Sequence, residues 1–466
     1  MEKRLQVCYD IWVTNPTNNN KGEALMRSLM DVQLESNSKI KINFDGGNLS
    51  SDGGLLLLNE FVSKMGFDEK LSRAIQTNDA ASHRKHKDGE NLLQVIYQLF
   101  AAYFEDDCAD ELTKDPVFTA ILGKGALASQ PTLSRFYNRM DRTTLDQFEQ
   151  LGKELRSVVN KYSHPEIVLF DLDSTLLETH GRQGGNAYNY VYKSNGYHPI
   201  VCYDGLTGDL LKAQLRQGTV YSSNGVCEFM QPLFDEYLGL YPETSLFLRG
   251  DSGFATPGLF KQCETNGTSY AIRIKENKVL LGHAAHLADE LYYKTQTNMV
   301  DYAVVHGDFY YQAGSWDYPR RVVCKIEKPA GQLTHSYFFF VTNMLMRPEK
   351  VVMFYCNRGS MENMIKECKN GFDFAAVPSS SETVNANRLQ VHVLAYNIFN
   401  WFKRLALPEK MRKHTADTIR LKLIKIAARA TRSARYVWFK LCSHCPYKDV
   451  FYETLVNIRR LKPQAV

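Results

Sequence analysis

Hydrophobic residues in the first third of the chain recur at helical spacing. Beginning at Asn91, apolar side chains return every three or four positions, which predicts an amphipathic helix. A second helix is predicted near Thr132, because Ser129-Gln-Pro-Thr supplies a capping hydroxyl and a proline at the helix start. We therefore predict a helical domain at residues 45–158, preceded by a polar arm at residues 1–44.

From Glu166 onward the pattern changes to short apolar strands. Ile167–Asp173 and Ser245–Asp251 are apolar runs that each end in aspartate. Other strand-like and helical stretches alternate with them, and this alternation predicts an α/β sheet covered by helices. The further strands are predicted at residues 188–193, 198–203, 210–216 and 269–275, and the helices at residues 225–238 and 258–265.

Residues 276–346 interrupt this alternation with aromatic and β-branched runs separated by turn residues, which predicts an antiparallel β insertion. Helical spacing resumes at residues 348–370 and 388–405. Beyond residue 410 only residues 435–441 are predicted as extended, and the rest of that region is open between helix and strand. The predicted core is therefore divided into residues 159–275 and 347–408, followed by a C-terminal region at residues 409–466.

The composition of the 466 residues, 44% hydrophobic and 23% charged, is that of a globular protein and excludes wholesale disorder. The longest apolar runs, such as Val351–Cys356, are far shorter than the roughly 20 residues of a membrane helix. The first residues show no secretory signal, so the ten cysteines are expected to be reduced thiols. These features predict a cytoplasmic protein without a membrane partner.

The net charge of +5 is unevenly distributed along the chain. Residues 401–466 contain sixteen Lys and Arg against four Asp and Glu. Such a basic C-terminal region favours a polyanionic partner such as nucleic acid, with a solvated basic surface as the alternative. Candidate contacts there are Arg429, Arg432 and Arg435. Arg135 is a further candidate on the exposed face of the second predicted helix, which is either a helix-turn-helix reader of DNA or an ordinarily packed helix.

The aspartates at the strand ends form the first candidate chemical site. Asp171 and Asp173 lie two positions apart and so share one face of their strand. Asp251 closes the other strand and is followed by Ser252-Gly253, a tight turn that leaves its carboxylate accessible. Since ligands of open α/β sheets collect at the carboxyl ends of strands, these carboxylates would converge and need a cation, for which Mg2+ is suited. The alternative is that each aspartate only caps the following turn.

A second candidate group lies on the helix predicted at residues 348–370. At about 100° per residue, Tyr355, Arg358, Glu362 and Lys369 fall within a sector of about 60°. The adjoining sector is apolar and would face the core. The stripe presents a carboxylate between cations and a phenol, which suits a metal ligand among phosphate-binding groups. The alternative is a surface helix with Arg and Glu pairs at helical spacing.

Three motifs in combination resemble those of the DDE insertion-sequence transposases. They are Asp173-Ser-Thr, Arg249-Gly-Asp251-Ser-Gly-Phe and the Y-x2-R-x3-E-x6-K pattern from Tyr355 to Lys369, the last being the signature of group four of insertion sequences. Wider matches resemble insertion-sequence family 1380, and the resemblance extends from near residue 44 to near residue 460. These wider matches are Phe44-Asp-Gly-Gly-Asn-Leu-Ser-Ser-Asp-Gly-Gly-Leu-Leu-Leu-Leu, Ala128-Ser-Gln-Pro-Thr-Leu-Ser-Arg and His180-Gly-Arg-Gln.

The resemblance implies an RNase H-like catalytic core that the β insertion interrupts. It also implies a metal-binding triad of Asp173, Asp251 and Glu362. Asp171 is the alternative first acid, because it lies on the same strand face as Asp173. Two Mg2+ ions, with Mn2+ as a substitute, would activate the attacking oxygen and stabilise the leaving oxygen.

The resemblance further implies contacts with DNA. In relatives, the positions that match Tyr355, Arg358 and Lys369 contact the backbone of the transposon end. Trp316 in the insertion is a candidate to hold a flipped base, with packing in an aromatic β region as the alternative.

The expected function is therefore that of an insertion-sequence DNA transposase. It would bind its terminal inverted repeats and catalyse Mg2+-dependent hydrolysis and strand transfer in cut-and-paste transposition. The expected partners are double-stranded DNA, as transposon ends and target, and further copies of the chain in a homodimer or larger synaptic complex at the nucleoid. Two alternatives stay open: a transposase-derived DNA-binding protein without catalysis, and an RNase H-like nuclease that cuts without joining.

Overall fold

The computed structural model describes residues 32–79, 81, 83–297, 301–332, 334–433 and 435–463. Most of the predicted N-terminal arm, residues 1–31, lies outside the described residues. The rest of the arm contains an antiparallel pair of strands, β1 (Val32–Leu34) and β2 (Asn37–Ile42). None of the helices in the described parts of the chain has the length and apolarity that a membrane crossing requires.

The first third of the described chain is mainly helical. After a short strand, β3 (Leu49–Ser50), its helices are α1 (Leu55–Lys64), α2 (Phe67–Ala74), α3 (Asp88–Phe100), α4 (Cys108–Glu111), α5 (Pro116–Ile121), α6 (Gln130–Asn138) and α7 (Arg142–Asn160). The two helices predicted from apolar spacing and capping are confirmed as α3 and α6. Buried side chains of this region join those of the C-terminal half in one hydrophobic core.

A large mixed sheet occupies the middle of the chain. The strands from this region are β4 (Ile167–Ser174), β5 (Leu177–Glu178), β6 (Ala187–Asn189), β7 (Ser194–Tyr197), β8 (Ile200–Asp204), β9 (Leu210–Gln214), β10 (Ser245–Gly250), β11 (Ser269–Ile274), β12 (Ala303–Tyr311), β13 (Arg320–Lys328) and β14 (Ser336–Thr342). Eight of them form one sheet in the order β12-β13-β14-β11-β10-β4-β8-β9, while β5, β7 and β6 form a small separate sheet. In the large sheet β4, β10 and β11 are parallel neighbours and the other pairs are antiparallel.

Helices accompany this sheet, so the predicted α/β class with a large sheet is confirmed. They are α8 (Val226–Leu240), a 3-10 turn at Ser252–Phe254, α9 (Pro257–Thr265), α10 (Lys278–His283), α11 (Ala285–Thr297), α12 (Pro348–Cys356), α13 (Gly359–Phe372) and α14 (Glu382–Leu405). A second hydrophobic core lies where α8 and α9 pack against the sheet. The strands β12, β13 and β14 are antiparallel, as predicted, and they extend the same sheet because β14 pairs with β11.

The prediction of a strand at residues 188–193 is wrong beyond Asn189. The Oδ1 of Asn189 accepts hydrogen bonds from the backbone N–H groups of Val191 and Tyr192, which closes a turn directly after β6. Lys193 completes the turn with a left-handed backbone, φ +55°. A side chain that accepts hydrogen bonds from backbone N–H groups two and three residues later competes with strand pairing, and at Asn189 it ends the strand.

The helix predicted at residues 348–370 is two helices. α12 ends at Cys356 and α13 begins at Gly359. Between them, the N–H of Arg358 donates to the carbonyl of Tyr355 at 2.9 Å, which tightens the turn and interrupts the α-helical pattern. The interruption lies in the middle of the charged stripe that the sequence placed on one helix.

The C-terminal part returns to the first third of the chain. It contains α15 (Glu409–Arg412), α16 (Ala416–Ile419), a π turn at Arg420–Ile424, β15 (Ala428–Ser433), β16 (Tyr436–Leu441) and α17 (Lys448–Arg460). The strand β16 confirms the extended segment predicted at residues 435–441. β15 and β16 form a hairpin, and β15 also pairs with β3, so strands from the two ends of the described chain share one sheet.

Candidate active site

Two of the predicted acids meet at one edge of the large sheet. In the parallel register of β4 and β10, Gly250 lies opposite Leu172, so Asp251, directly after β10, lies beside Asp173, the last residue but one of β4. The Oδ1 of Asp173 accepts a hydrogen bond from the next N–H in the chain at 2.8 Å, and Asp251 caps the 3-10 turn after β10. Burial raises the pKa of Asp173, and the carboxylate of Asp251 adds to the rise, as expected for neighbouring acids.

Asp171 has a different environment, although it lies on the same strand face. It is fully buried, and Arg249 donates to both of its oxygens, from Nε at 2.7 Å and from Nη2 at 2.6 Å. The Nη1 of Arg249 also donates to the carbonyl of Phe354 at 2.7 Å, so the guanidinium connects α12 to the sheet. Asp171 is thus neutralised by a structural partner, and Asp173 is the acid that lies at the strand end.

Hydroxyl groups surround the two strand-end acids. The Oγ atoms of Ser174 and Ser222 lie 2.9 Å apart, and the hydroxyl of Tyr192 donates to the carbonyl of Ser174 at 3.2 Å. Burial raises the pKa of Tyr192, and Asp173 and Asp251 raise it further. The turn after β6 therefore places an aromatic hydroxyl beside the acids.

Two cations, one at the junction of α12 and α13 and one near the end of α13, reach β4 and the segment that follows it. The Nη2 of Arg358 lies 3.0 Å from the Oδ2 of Asp173 and donates to the carbonyl of Leu172 at 2.6 Å. The Nζ of Lys369 donates to the carbonyl of Leu176 at 2.8 Å, and burial lowers the pKa of Lys369. Both side chains therefore extend from the helices onto the end of β4 or the segment that follows it.

Tyr355 accompanies these cations. Its ring centroid lies 4.5 Å from that of Phe340, which holds the phenol against β14. Burial raises the pKa of Tyr355, while Arg358 lowers it and Asp251 raises it, so the phenol lies within the electrostatic reach of the acids. Two of the four residues of the predicted stripe, Tyr355 and Arg358, therefore lie near Asp173 and Asp251, and Lys369 lies against the segment that follows β4.

Glu362 is the member of the stripe that does not reach the acids. It is exposed on α13 and has no hydrogen bond or ion pair with any described residue. Over the described residues no group of three or more His, Cys, Asp and Glu side chains is placed to hold a metal ion. The charged group in contact with Asp173 is Arg358 instead of a third acid.

Trp316 lies in packed surroundings. It is only 8% exposed, and its ring centroid is 5.4 Å from that of Phe260 and 5.3 Å from that of Tyr311. The guanidinium of Arg320 lies over the indole at 5.6 Å. No broad face of the ring is left for a base, so the structure favours the packing alternative for this residue.

The predicted basic contacts lie on two other elements. Arg135 is exposed on α6, where its Nη2 lies 3.3 Å from the Oγ1 of Thr132. Arg429, Arg432 and Arg435 are exposed on the hairpin formed by β15 and β16. None of these arginines has a contact with the strand-end acids among the described residues.

Arg249 and Tyr192 are the residues of the site whose roles the sequence did not indicate. For Arg249 a signal was present, because an arginine inside the apolar strand at residues 245–250 must be buried and so needs an acid opposite it. Tyr192 gave no such signal, since its position depends on the turn that ends β6.

Residues 32–463 match the family described as transposase DDE domain, group 1. The match covers most of the chain. The chain belongs to this family. DDE transposases generally use divalent metal ions, and the family is one of polynucleotidyl transferases and endonucleases.

This DDE transposase is similar to the piggyBac transposase in the cryo-EM structure of a synaptic complex with hairpin DNA. The two chains are 12% identical, the alignment covers 79% of each, and the TM-score is 0.43. Comparison with curated proteins finds no match.

The edge geometry of this DDE transposase suits phosphate chemistry. Two neighbouring carboxylates offer the oxygen ligands that hard divalent cations prefer. The guanidinium beside Asp173 can bind the oxygens of a phosphate, and the ammonium of Lys369 lies further along, against the carbonyl of Leu176. Acids, a guanidinium and hydroxyls therefore converge at the carboxyl ends of two central strands of the sheet.

Proposed function

We propose that this protein is the transposase of an insertion sequence of the family-1380 type, which cuts DNA at its own terminal inverted repeats and joins the 3′ ends to target DNA. The observation that carries the proposal is the position of Asp173 and Asp251 side by side at the ends of two parallel strands, with Arg358 paired to Asp173. Such a site supports in-line displacement at a phosphodiester.

The proposed catalytic core is RNase H-like and consists of β9, β8, β4, β10 and β11 with their helices. Its support is that both strand-end acids leave this part of the sheet at one edge. In the proposal, β12–β14 are the insertion and α1–α7 with their connections are the N-terminal DNA-binding domain.

Asp173 and Asp251 are the proposed ligands of Mg2+, and Glu362 is the proposed third acid. Mn2+ would substitute for Mg2+. The donor chemistry of the two aspartates fits a hard cation. Glu362 would join them only after α13 changes its position, because it has no contact with either aspartate. When bound, the metal supplies activation of the attacking oxygen and stabilisation of the leaving oxygen.

The residues around the acids have positioning roles in the proposal. The guanidinium of Arg358 can bind two oxygens of one phosphate, and Lys369 can bind a neighbouring phosphate as a point charge. Tyr355 donates its hydroxyl, which stays protonated because its pKa is raised by burial. These groups would hold the transposon-end backbone against the strand-end acids.

The proposed partner is double-stranded DNA. Arg135 on α6 and the arginines of the β15–β16 hairpin would bind phosphates, and such contacts fix the register of a protein on DNA. Because two transposon ends must be held together for joining, the proposed active form is a homodimer or a larger synaptic complex.

Cleavage of labelled DNA that carries the element's own ends, in Mg2+, tests the proposal. Asp173→Asn, Asp251→Asn and Glu362→Gln should each remove several kcal/mol of transition-state stabilisation and so slow cleavage by about a thousandfold. Binding of the ends should persist in all three variants. Glu349→Gln, an exposed acid on α12, is the matched control and should cleave normally.

The outcomes separate the alternatives. Normal cleavage by Glu362→Gln would remove Glu362 from the site, and normal cleavage by all three variants would contradict the proposed site. Specific binding without cleavage by the wild type, in both Mg2+ and Mn2+, would favour a non-catalytic DNA-binding protein. Pre-cleaved ends that are never joined to target DNA, while nicking is normal, would favour a nuclease.

A further inference from the structure

The hairpin of β15 and β16, here called the C-terminal ribbon, has an aromatic and basic face. Its antiparallel register places Arg429 opposite Lys440, Thr431 opposite Trp438, and Ser433 opposite Tyr436. Because side chains alternate between the two faces of a strand, these six residues share one face. Tyr436 is 66% exposed and Trp438 is 59% exposed, and their rings contact each other edge to face with centroids 6.4 Å apart.

Only the base of the C-terminal ribbon is attached to the rest of the described structure. β3 pairs with Ala428 and Arg429 alone, and the N–H of Ala430 donates to the carbonyl of Asn48 at 2.8 Å. On the opposite face, Phe439 and Leu441 pack against the main hydrophobic core at the same base. Beyond that base the ribbon projects as two strands that no third described strand supports.

Such a projecting hairpin is only marginally stable in water unless a partner covers it. Two adjacent strands are marginally stable in water, and two large aromatic side chains side by side on an open face mark an interaction surface. The base of the ribbon is anchored, so a partner would meet it in a fixed orientation. The surface therefore has the properties of a preformed docking element.

The charge of the C-terminal ribbon indicates the partner. Residues 418–448 contain eight Lys and Arg and no Asp or Glu. The cations of the ribbon, Arg429, Arg432, Arg435 and Lys440, are all exposed, and none forms an ion pair with another described residue. A partner that offsets these charges with phosphates and also presents base edges and methyl groups to the aromatic rings is nucleic acid.

The shape of the ribbon suits duplex DNA. A two-stranded β ribbon fits the major groove, and six residues of strand extend over about 20 Å, which is more than half a helical turn of DNA. In the groove, Trp438 and Tyr436 would meet base edges and thymine methyl groups. The arginines on the other face and at the tip would meet the flanking phosphates.

We propose that the C-terminal ribbon is a groove-binding element that places the face of Tyr436, Trp438 and Lys440 on the bases of the transposon end. This inference rests on the proposed function, because the DNA that it names is the transposase substrate. It adds a base-contacting surface to the phosphate contacts expected of Arg432 on the opposite face and Arg435 at the tip.

Intrinsic fluorescence of the full chain tests the proposal, because the exposed indole of Trp438 would be covered by DNA. Trp316 and Trp401 are buried and would report little, and Trp12 is replaced by Phe in every protein compared, so that Trp438 is the reporter. Adding duplex end DNA should quench the tryptophan fluorescence of the wild type. The quenching should disappear in Trp438→Phe, whose affinity for the DNA should stay that of the wild type. Trp438→Ala should weaken binding about fivefold to a hundredfold, the range that the loss of one base contact costs a specific protein–DNA complex.

Matched controls identify the face. Val437→Ala removes an exposed side chain from the opposite face of the ribbon, and Tyr452→Ala removes an exposed aromatic from α17. Both should bind DNA as the wild type does. Circular dichroism and thermal unfolding of each variant show that a loss of binding does not come from a loss of fold.

The results distinguish this inference from the proposed function. If the wild type binds DNA without quenching and Trp438→Ala binds it equally well, the proposal for the ribbon is overturned and the proposed transposase function is not. If the wild type does not bind DNA at all, both are overturned. Self-association without DNA that Trp438→Ala abolishes would show that the face binds a second copy. Equal quenching by anionic lipid vesicles would show that it binds a lipid surface, and either result overturns the groove assignment.

Discussion

Among single residues, the carboxylate of Asp373 is expected to make the free energy of unfolding depend on pH. It follows α13 with a left-handed backbone, φ +51°. Burial and the nearby Glu105 raise the pKa of Asp373 to about 6, against the lowering effect of Arg388. Between about pH 4 and about pH 6 the folded chain therefore holds this proton more tightly than the unfolded chain, so stability decreases as the pH rises through that range.

Asp373→Asn should remove this decrease in stability with pH, because the amide carries no charge and Asn tolerates the left-handed conformation. We expect the free energy of unfolding to rise by about 1 kcal/mol at neutral pH, after allowing for the exposed part of the side chain, and by much less near pH 4. Urea unfolding at the two pH values measures the difference. Asp289→Asn, an exposed acid on α11, is the control, and an equal gain at both pH values would contradict the prediction.

The residue types of the site could be predicted from the sequence, but their individual environments could not. Asp171 and Asp173 are equivalent in a strand pattern, and only the register of β4 with β10 places Arg249 against the first of them. The stripe on the 348–370 helix located Tyr355 and Arg358 near the acids, whereas the positions of Glu362 and Lys369 depend on how α13 packs. Side-chain identity follows from the sequence, and proximity follows from pairing between distant segments.

At the scale of elements, the start of α1 depends on close backbone packing. The N–H of Gly53 donates to the carbonyl of Ile426 at 2.9 Å, and that of Gly54 donates to Ile424 at 3.0 Å. A Cβ atom on Gly54 would lie 1.6 Å from the carbonyl oxygen of Leu423. The two glycines therefore let α1 dock on the π turn near the C-terminus, where any side chain would separate the two backbones.

Gly54→Ala should consequently destabilise the chain by about 4 kcal/mol or more, the range of strong steric disruptions, or abolish folding. Gly152→Ala is the matched control, because a Cβ there meets nothing within 4 Å in the middle of α7. That change should add about 0.5–1 kcal/mol of stability through helix propensity. Thermal unfolding measures both variants, and similar stabilities for the two would show that the close approach at Gly54 has no consequence.

Elements with strong periodicity could be predicted, and those decided by local side-chain bonds could not. The apolar repeat after Asn91 and the proline after Ser129 were sufficient for α3 and α6, although Ser129 occupies the N-cap position without the predicted side-chain capping bond. The turn after β6 depends on the side chain of Asn189, and the break between α12 and α13 depends on a tightened turn at Arg358. Neither event changes the average hydrophobic pattern on which the predictions were based.

Over the whole molecule, long-range pairing determines how the parts combine. The antiparallel strands β12–β14 could be predicted from composition, but their attachment to the main sheet through β11 could not. The same is true of β3 and β15, which pair although most of the chain separates them. The position of the junction between α12 and α13 follows from such packing, and it decides which charge lies against Asp173.

That arrangement leads to a prediction about metal binding by the chain without DNA. Arg358 is ion-paired with Asp173, so its guanidinium and a divalent cation would compete for the same carboxylate. Removing the guanidinium leaves Asp173 and Asp251 as neighbouring uncompensated acids, which favours a cation. We expect Arg358→Ala to bind Mn2+ about tenfold more tightly than the wild type, a gain of about 1.4 kcal/mol.

Electron paramagnetic resonance of free Mn2+ measures this affinity without any need for activity. Arg347→Ala, an exposed arginine at the start of α12, should bind Mn2+ as the wild type does, and Arg358→Ala combined with Asp173→Asn should lose the gain. End DNA should raise the affinity of the wild type and have a smaller effect on Arg358→Ala, because phosphates would draw the guanidinium away from Asp173. If Arg358→Ala binds Mn2+ no more tightly than the wild type, the guanidinium does not compete with the metal, and DNA must act on the acids by another route.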